Sequence, residues 1–106
     1  MLYPRTLNIT IYRDSSYDMI VRFRTGGTDG DLLDVSTYDF TAYYYNAAGE
    51  EVIRAAINRP SAESIELYLS PQNTSIFEAT GTWKLAVTIP GSNRKYFILK
   101  GKATVR

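Results

Sequence analysis

Residues 82–105 read TWKLAVTIPGSNRKYFILKGKATV, and this stretch predicts the fold. In its first part apolar residues alternate with small or polar ones, at Trp83, Leu85, Val87 and Ile89. Alternation with a period of two is typical of a strand with one buried face. The turn formers PGSN and a β-branched and aromatic run, KYFIL, follow. The stretch therefore predicts a β-hairpin that buries the chain's only tryptophan.

The same alternation appears upstream in shorter runs. It predicts strands near residues 7–11, 19–23, 38–44, 52–57 and 65–69. The run at 52–57 is the weakest, and its alanines leave a helix as an alternative. Asn46-Ala47-Ala48-Gly49 predicts a hairpin turn, and Lys100-Gly101 predicts a bulge or bend in the last strand. Ser70 and Pro71 predict the N-cap and first position of a short helical turn.

Together these elements predict the fold class. About seven short strands, with turn signals roughly every 8–12 residues, are typical of an all-β sandwich or barrel. We expect a single domain over residues 1–106, an immunoglobulin-like β-sandwich of antiparallel strands with one short helical turn near 70–77. A small Greek-key barrel is the alternative. A chain of 106 residues buries roughly two-thirds of its unfolded surface, which is enough for one core.

The composition argues against catalysis and against most cofactors. The chain has no histidine and no cysteine, so Ser-His-Asp triads, thiol nucleophiles and His/Cys zinc sites are excluded. No phosphate-binding glycine motif is present. We therefore expect no enzyme activity, cofactor or small-molecule substrate. Asp29, Asp31 and Asp34 leave a calcium loop as a minor alternative to ordinary turn chemistry.

Net charge and hydropathy indicate which classes of partner the chain can bind. The formal net charge is +1, which gives no reason to expect nucleic acid. No apolar run approaches 18 residues and no leader is evident, so we expect no membrane partner and no signal peptide. Five of the twelve Lys and Arg residues lie within the last thirteen positions. These are either a patch for an acidic partner or protection of an edge strand.

The candidate contact residues are aromatic and basic. In the run Tyr43-Tyr44-Tyr45, a period of two places Tyr44 inside and Tyr43 and Tyr45 on the exposed face. Exposed tyrosines suit a protein interface or, with convergent polar groups, a sugar site. Arg94 and Lys95, from the basic cluster near the end of the chain, are the other two residues that we expect to contact a partner. The alternative is that these tyrosines only pair across strands.

Four segments resemble a family of small phage and prophage structural proteins. They are ITIYRDSSYDM at 9–19, LDVSTY at 33–38, IELYLSPQNT at 65–74 and LKGKATV at 99–105. Proteins of this family have an immunoglobulin-like β-sandwich, which is also similar to the N-terminal domain of siphophage baseplate upper proteins. The resemblance covers almost the whole chain, and its motifs are structural rather than catalytic.

The resemblance implies a bacteriophage virion component in the tail, neck, fibre adaptor or capsid decoration. Such a protein would act by contact with other virion proteins, in several copies within a symmetric assembly, after synthesis in the host cytoplasm. Two alternatives remain open. The first is a free-standing carbohydrate-binding module that uses the same tyrosines, and the second is an inhibitor or anti-defence protein that is absent from particles.

Overall fold

The computed structural model describes residues 5–24, 31–92 and 94–106, which form nine strands and one helix. In chain order these are β1 (Arg5–Thr6), β2 (Ile9–Ile11), β3 (Tyr17–Arg22), β4 (Asp39–Tyr45), β5 (Glu51–Arg54), β6 (Ala56–Ser61), β7 (Ser64–Leu69), α1 (Pro71–Ser75), β8 (Gly81–Thr88) and β9 (Lys95–Val105).

The strands form two sheets that share one core. The larger sheet has the order β1-β9-β8-β4-β5, with β2 also pairing with β9, and the smaller has the order β3-β7-β6. Buried side chains from both sheets meet between them, among them Ile11, Ala42, Tyr44, Ile65, Leu67, Leu69, Trp83 and Leu85. The predicted all-β sandwich is therefore confirmed.

The predicted C-terminal hairpin forms the centre of the larger sheet. β8 pairs antiparallel with β9 on one side and with β4 on the other. The side chain of Trp83 is fully buried, stacks on Tyr44 with ring centroids 6.3 Å apart, and donates from Nε1 to the Leu7 carbonyl at 2.7 Å. A buried indole needs such an acceptor, so this bond fixes the N-terminal segment against the sheet.

The N-terminal segment differs from the single strand predicted near residues 7–11. It forms two short strands, β1 and β2, which pair parallel with β9 and are separated at Leu7-Asn8. Ile9 and Ile11 are buried as predicted, whereas Leu7 is 41% exposed. The difference follows from Trp83, because the Leu7 carbonyl that accepts the indole N–H does not belong to a regular strand pair.

The bulge predicted at Lys100-Gly101 is wrong. The register between β8 and β9 shifts between Leu85 and Ala86, which pair with Leu99 and Phe97 and leave Ile98 without an opposite residue. Gly101 serves a close backbone approach instead, since a Cβ atom there would lie 2.0 Å from the Leu7 carbonyl oxygen.

The run at 52–57 is neither one strand nor a helix. It divides into β5, which pairs with β4 in the larger sheet, and β6, which pairs with β7 in the smaller one. The chain changes sheets at Ala55, a buried residue whose N–H still bonds to the Ala42 carbonyl at 3.1 Å. Strand pairing on both sides outweighs the helix propensity of alanine here.

Both predicted turns upstream of the hairpin are confirmed. Gly49 has a φ of 85° in the turn between β4 and β5. Ser70 caps α1 by accepting from the Asn73 N–H at 3.1 Å, and the Asn73 side chain accepts from the Ser70 N–H in return. Pro71 is the first helical residue. This reciprocal capping stabilises a helix that is too short to form alone.

One buried polar atom leads to a stability prediction. Within the described residues, the Tyr44 hydroxyl is buried and has no hydrogen-bond partner. Removing an unsatisfied buried group relieves its desolvation cost. We expect Tyr44→Phe to leave the free energy of unfolding unchanged or to raise it by about 1 kcal/mol in urea denaturation. A loss of more than about 1 kcal/mol would show that the hydroxyl has a stabilising partner.

Burial also predicts how stability responds to alkaline pH. It raises the pKa of Tyr44 and of Tyr17 above the ordinary 10.0. The unfolded chain therefore releases these protons first, and the contribution of these tyrosines to stability is complete below pH 10 and declines above it. Tyr43 has the opposite effect on the pH dependence of stability, because the hydrogen bond from Lys95 lowers the pKa of Tyr43. We measure the free energy of unfolding in urea from about pH 8 to about pH 12, and we expect it to decline less steeply with pH for Tyr44→Phe than for the wild type. Equal slopes would contradict this assignment.

Candidate interaction face

The outer face of the larger sheet carries a compact group of aromatic and cationic side chains. We call this group the tyrosine–lysine face and define it as Tyr43, Tyr45, Arg54, Lys84, Lys95 and Phe97. Strand register brings these residues together. Tyr43 pairs with Lys84 on one side and with Arg54 on the other. Because Tyr44 and Trp83 point into the core, their neighbours along each strand point outward.

Tyr43 is the centre of the face, and the prediction that it is exposed is wrong. Its side chain is on the outer side of the sheet, but the residue is only 7% exposed. Lys95 donates from Nζ to the Tyr43 hydroxyl at 2.6 Å. The Lys95 ammonium and the Arg54 guanidinium each lie 4.9 Å from the ring centroid. Long cationic side chains thus cover this ring, which acts as a support for the face.

Tyr45 and Phe97 present the accessible aromatic surface. Tyr45 is partly exposed and stacks on Tyr43, with centroids 6.2 Å apart and an angle of 22° between the planes. Phe97 is 38% exposed and contacts Tyr43 edge-on at 6.4 Å. The Lys84 ammonium lies 5.7 Å from the Tyr45 ring and 5.2 Å from the Phe97 ring. The rings of Tyr45 and Phe97 and the Lys84 ammonium therefore form the accessible surface, with the buried Tyr43 ring in contact with both aromatic rings.

The charge of this region is predominantly positive. Lys84 lies directly opposite Lys100 on the neighbouring strand, and Lys102 is two residues further along. Like charges at directly opposed strand positions are destabilising. Glu51 compensates for part of the charge through an exposed ion pair with Arg54 at 3.3 Å. An anionic partner placed over Lys84 and Lys100 would relieve this repulsion.

The four predicted contact residues do not all meet. Tyr43, Tyr45 and Lys95 belong to the tyrosine–lysine face. Arg94 lies in the turn before β9, where its exposed backbone N–H donates to the Ser92 hydroxyl at 3.1 Å. Of these two predicted basic residues, Lys95 contacts a ring of the face, and the described contacts of Arg94 include none with these rings.

Sequence reasoning missed Arg54, Lys84 and Phe97. A signal existed for Phe97, because a period of two places it on the same side as Lys95. For Arg54 and Lys84 the sequence offered only alternation within each strand. Their placement beside Tyr43 depends on which residues are opposite each other between strands, and that register is a long-range property.

The acidic run that suggested calcium is described only in part, because Asp29 lies outside the described residues. Hydrogen bonds from the Ser36 side chain and from the Ser36 backbone N–H lower the pKa of the Asp34 carboxyl group. The backbone N–H donates to Asp34 Oδ1 at 2.9 Å. The bond is the side-chain turn chemistry expected of aspartate. In the part of the chain that the structure describes, no group of three or more acidic residues is placed to hold a metal ion.

An open groove of about 520 Å³ lies at one end of the sandwich. Its described lining comes from both sheets and is mainly apolar, with Arg5, Arg22 and Arg24 also contributing. Val35, Phe40 and Val87, which line it, are also members of the core. The groove is therefore the open end of the core.

No helix within residues 5–24, 31–92 and 94–106 is long and apolar enough to cross a membrane. Comparison with known proteins adds no assignment. A scan against protein-family models finds no match, and a search of the curated proteins finds none either.

Proposed function

We propose that this chain is a non-enzymatic structural protein of a bacteriophage virion, with an immunoglobulin-like sandwich that attaches to other virion proteins. The tail, neck, fibre adaptor and capsid surface are the candidate locations. Attachment occurs through the tyrosine–lysine face, with several copies in a symmetric assembly. The resemblance of the sequence to phage structural proteins supports the virion role, and the face supports contact as the mode of action.

The observation that carries the proposal is the composition of this face. Tyrosine, phenylalanine and arginine are enriched in the cores of protein interfaces. Here they lie on paired strands, so the partner meets a surface whose backbone is already ordered. Aromatic side chains also lose little conformational entropy on binding, since they have few rotatable bonds.

The charge of the face defines the partner surface. Lys84 and Lys100 oppose each other across β8 and β9, so a partner with carboxylates at this position would relieve their repulsion. Complementary charge mainly increases the association rate and the specificity of binding. The partner surface is therefore an acidic patch on another virion protein, with an apolar centre for Tyr45 and Phe97.

A mass-spectrometric inventory of purified particles from the source phage or induced prophage tests the virion role. We expect peptides of this chain in stoichiometric amounts. A count in the hundreds would indicate capsid decoration, and a count of about three to eighteen would indicate tail, neck or fibre. Absence from clean particles would contradict the proposal and favour an inhibitor or anti-defence protein.

The carbohydrate-binding alternative is favoured by one observation, the near-parallel stack of Tyr43 on Tyr45. A glycan array with the isolated protein separates the two functions. Binding of a glycan that is lost in Tyr45→Ala would support the sugar module. The burial of Tyr43 beneath Arg54 and Lys95 argues for protein contact, because a sugar needs an open ring face.

A further inference from the structure

Strand β3 forms one edge of the smaller sheet and pairs only with β7. It runs for six residues in an unbroken antiparallel register. The other described edges are interrupted. β6 contains Pro60 and a register shift, β5 is four residues long beside a register shift, and the N-terminal edge consists of two short strands. Proline, bulges and short strands protect sheet edges from further pairing, and β3 has none of them.

The backbone N–H and C=O groups of successive β3 residues point alternately to β7 and to the free edge. The Phe23 N–H donates to the Glu63 carbonyl at 2.9 Å, which continues the β3–β7 register by one hydrogen-bonded pair. In an antiparallel ladder such pairs recur at every second residue. Tyr17, Met19 and Val21 therefore direct their backbone groups to β7. Asp18, Ile20 and Arg22 direct theirs to the free edge.

The side chains of these same three residues are exposed. Ile20 is 59% exposed, more than any other large aliphatic residue in the described part of the chain. Asp18 and Arg22 lie on either side of it, with opposite charges. Among residues 5–24, 31–92 and 94–106, neither of them takes part in an ion pair.

We propose that β3 pairs antiparallel with β3 of a second copy of this chain, with Ile20 on the two-fold axis. In this register Ile20 lies opposite the second copy's Ile20, and Asp18 lies opposite the second copy's Arg22. Each of these is a hydrogen-bonded pair, because all three residues direct their backbone groups to the free edge. The two copies join their smaller sheets into one continuous sheet, and the charges on both sides of the axis are complementary.

This register is favoured over its neighbours. After a shift of one residue, residues whose backbone groups point to the free edge in one copy would lie opposite residues whose backbone groups point to β7 in the other. The side chains of the paired residues would then also be on opposite faces of the sheet. A shift of two residues would keep the parity but would move Ile20 opposite a charged residue. A two-fold interface of this kind is the commonest form of homodimer. It does not depend on the proposed virion role.

Sedimentation velocity of the purified chain over a concentration series tests the pairing. A strand-to-strand contact is smaller than a standard interface, so we expect a dissociation constant between about 1 μM and about 1 mM. Asp18→Arg and Arg22→Asp each place like charges opposite one another, and we expect each variant alone to remain monomeric. We expect the double variant Asp18→Arg/Arg22→Asp to dimerise again, because the charges are exchanged but remain complementary.

An equal mixture of the two single variants provides the matched control. One variant carries two arginines and the other two aspartates, so the mixture restores both ion pairs, and we expect a heterodimer. Thermal unfolding confirms that each variant is folded. A wild-type chain that stays monomeric at about 1 mM would overturn the proposal. Dimerisation that is indifferent to these substitutions would also overturn it, since the contact would then lie elsewhere.

Amide hydrogen exchange provides a second readout that does not depend on variants. At high concentration, we expect slower exchange at the Ile20 and Arg22 amides, while the amides of Met19 and Val21 already bond to β7. Unchanged exchange at Ile20 in a concentration range where the chain dimerises would contradict the proposed pairing.

Discussion

Trp83→Ala is expected to remove a large part of the stability of the domain. The wild-type side chain is fully buried, and replacing a buried tryptophan by alanine costs about 3–5 kcal/mol. The substitution also removes the hydrogen bond that the indole N–H donates to the part-buried Leu7 carbonyl, and such a bond contributes about 0.5–1.5 kcal/mol. The total free energy of unfolding of a small domain is about 5–15 kcal/mol. Urea denaturation followed by circular dichroism measures the loss.

Two variants show which part of the loss comes from packing. Trp83→Phe keeps an aromatic ring against Tyr44 but has no N–H, so we expect a smaller loss that reflects the hydrogen bond and the reduced volume. Phe97→Ala removes an aromatic ring from the outer face of the same sheet, where the side chain is 38% exposed, and we expect a loss below about 1 kcal/mol. A loss for Trp83→Ala no larger than that for Phe97→Ala would contradict the placement of Trp83 in the core.

Gly101→Ala is expected to destabilise the chain by about 3 kcal/mol, which is the upper end for overpacking. A Cβ atom at this position would lie 2.0 Å from the Leu7 carbonyl oxygen and 2.6 Å from its carbon. Both atoms belong to the backbone, so no side-chain rotation relieves the contact. The N-terminal segment has to move away from β9, and the bond from Trp83 to Leu7 is lost with it. Urea denaturation gives the loss, and amide exchange of β2 shows where it occurs.

Gly91→Ala is the matched control for this substitution. Gly91 has a φ of 71°, and nothing lies within 4 Å of a Cβ atom built there. Its replacement therefore costs only the backbone strain of the left-handed region, about 1 kcal/mol. Equal losses for the two variants would show that the N-terminal segment does not press on Gly101.

The sequence predicted those parts of the fold that depend on local patterns. Alternation around Trp83, Phe40 and Leu67 identified three strands and their buried faces. Ser70 and Pro71 identified the helix start through capping chemistry. The parallel pairing of β1 and β2 with β9 joins residues that are more than ninety positions apart, and nothing in either segment indicates it. The change of sheet at Ala55 depends in the same way on contacts with β4 and β7.

The candidate site was only partly predictable for a related reason. A period of two correctly placed Tyr43 and Tyr45 on the outer face, because this property belongs to one strand. The burial of Tyr43 could not be predicted, since it depends on Lys95 and Arg54 reaching across from two other strands. Long side chains cover neighbouring rings only when the register brings them within reach.

The proposed function requires the tyrosine–lysine face to attach the protein to its particle. Its most direct test is to add purified protein to particles assembled without it and to measure the bound copies. We expect wild-type protein to bind to saturation, and Lys84→Glu/Lys95→Glu to lose binding while remaining folded. Arg13→Glu, a charge reversal at an exposed residue outside this face, is expected to bind as the wild type does. Full binding by Lys84→Glu/Lys95→Glu would contradict the proposed attachment.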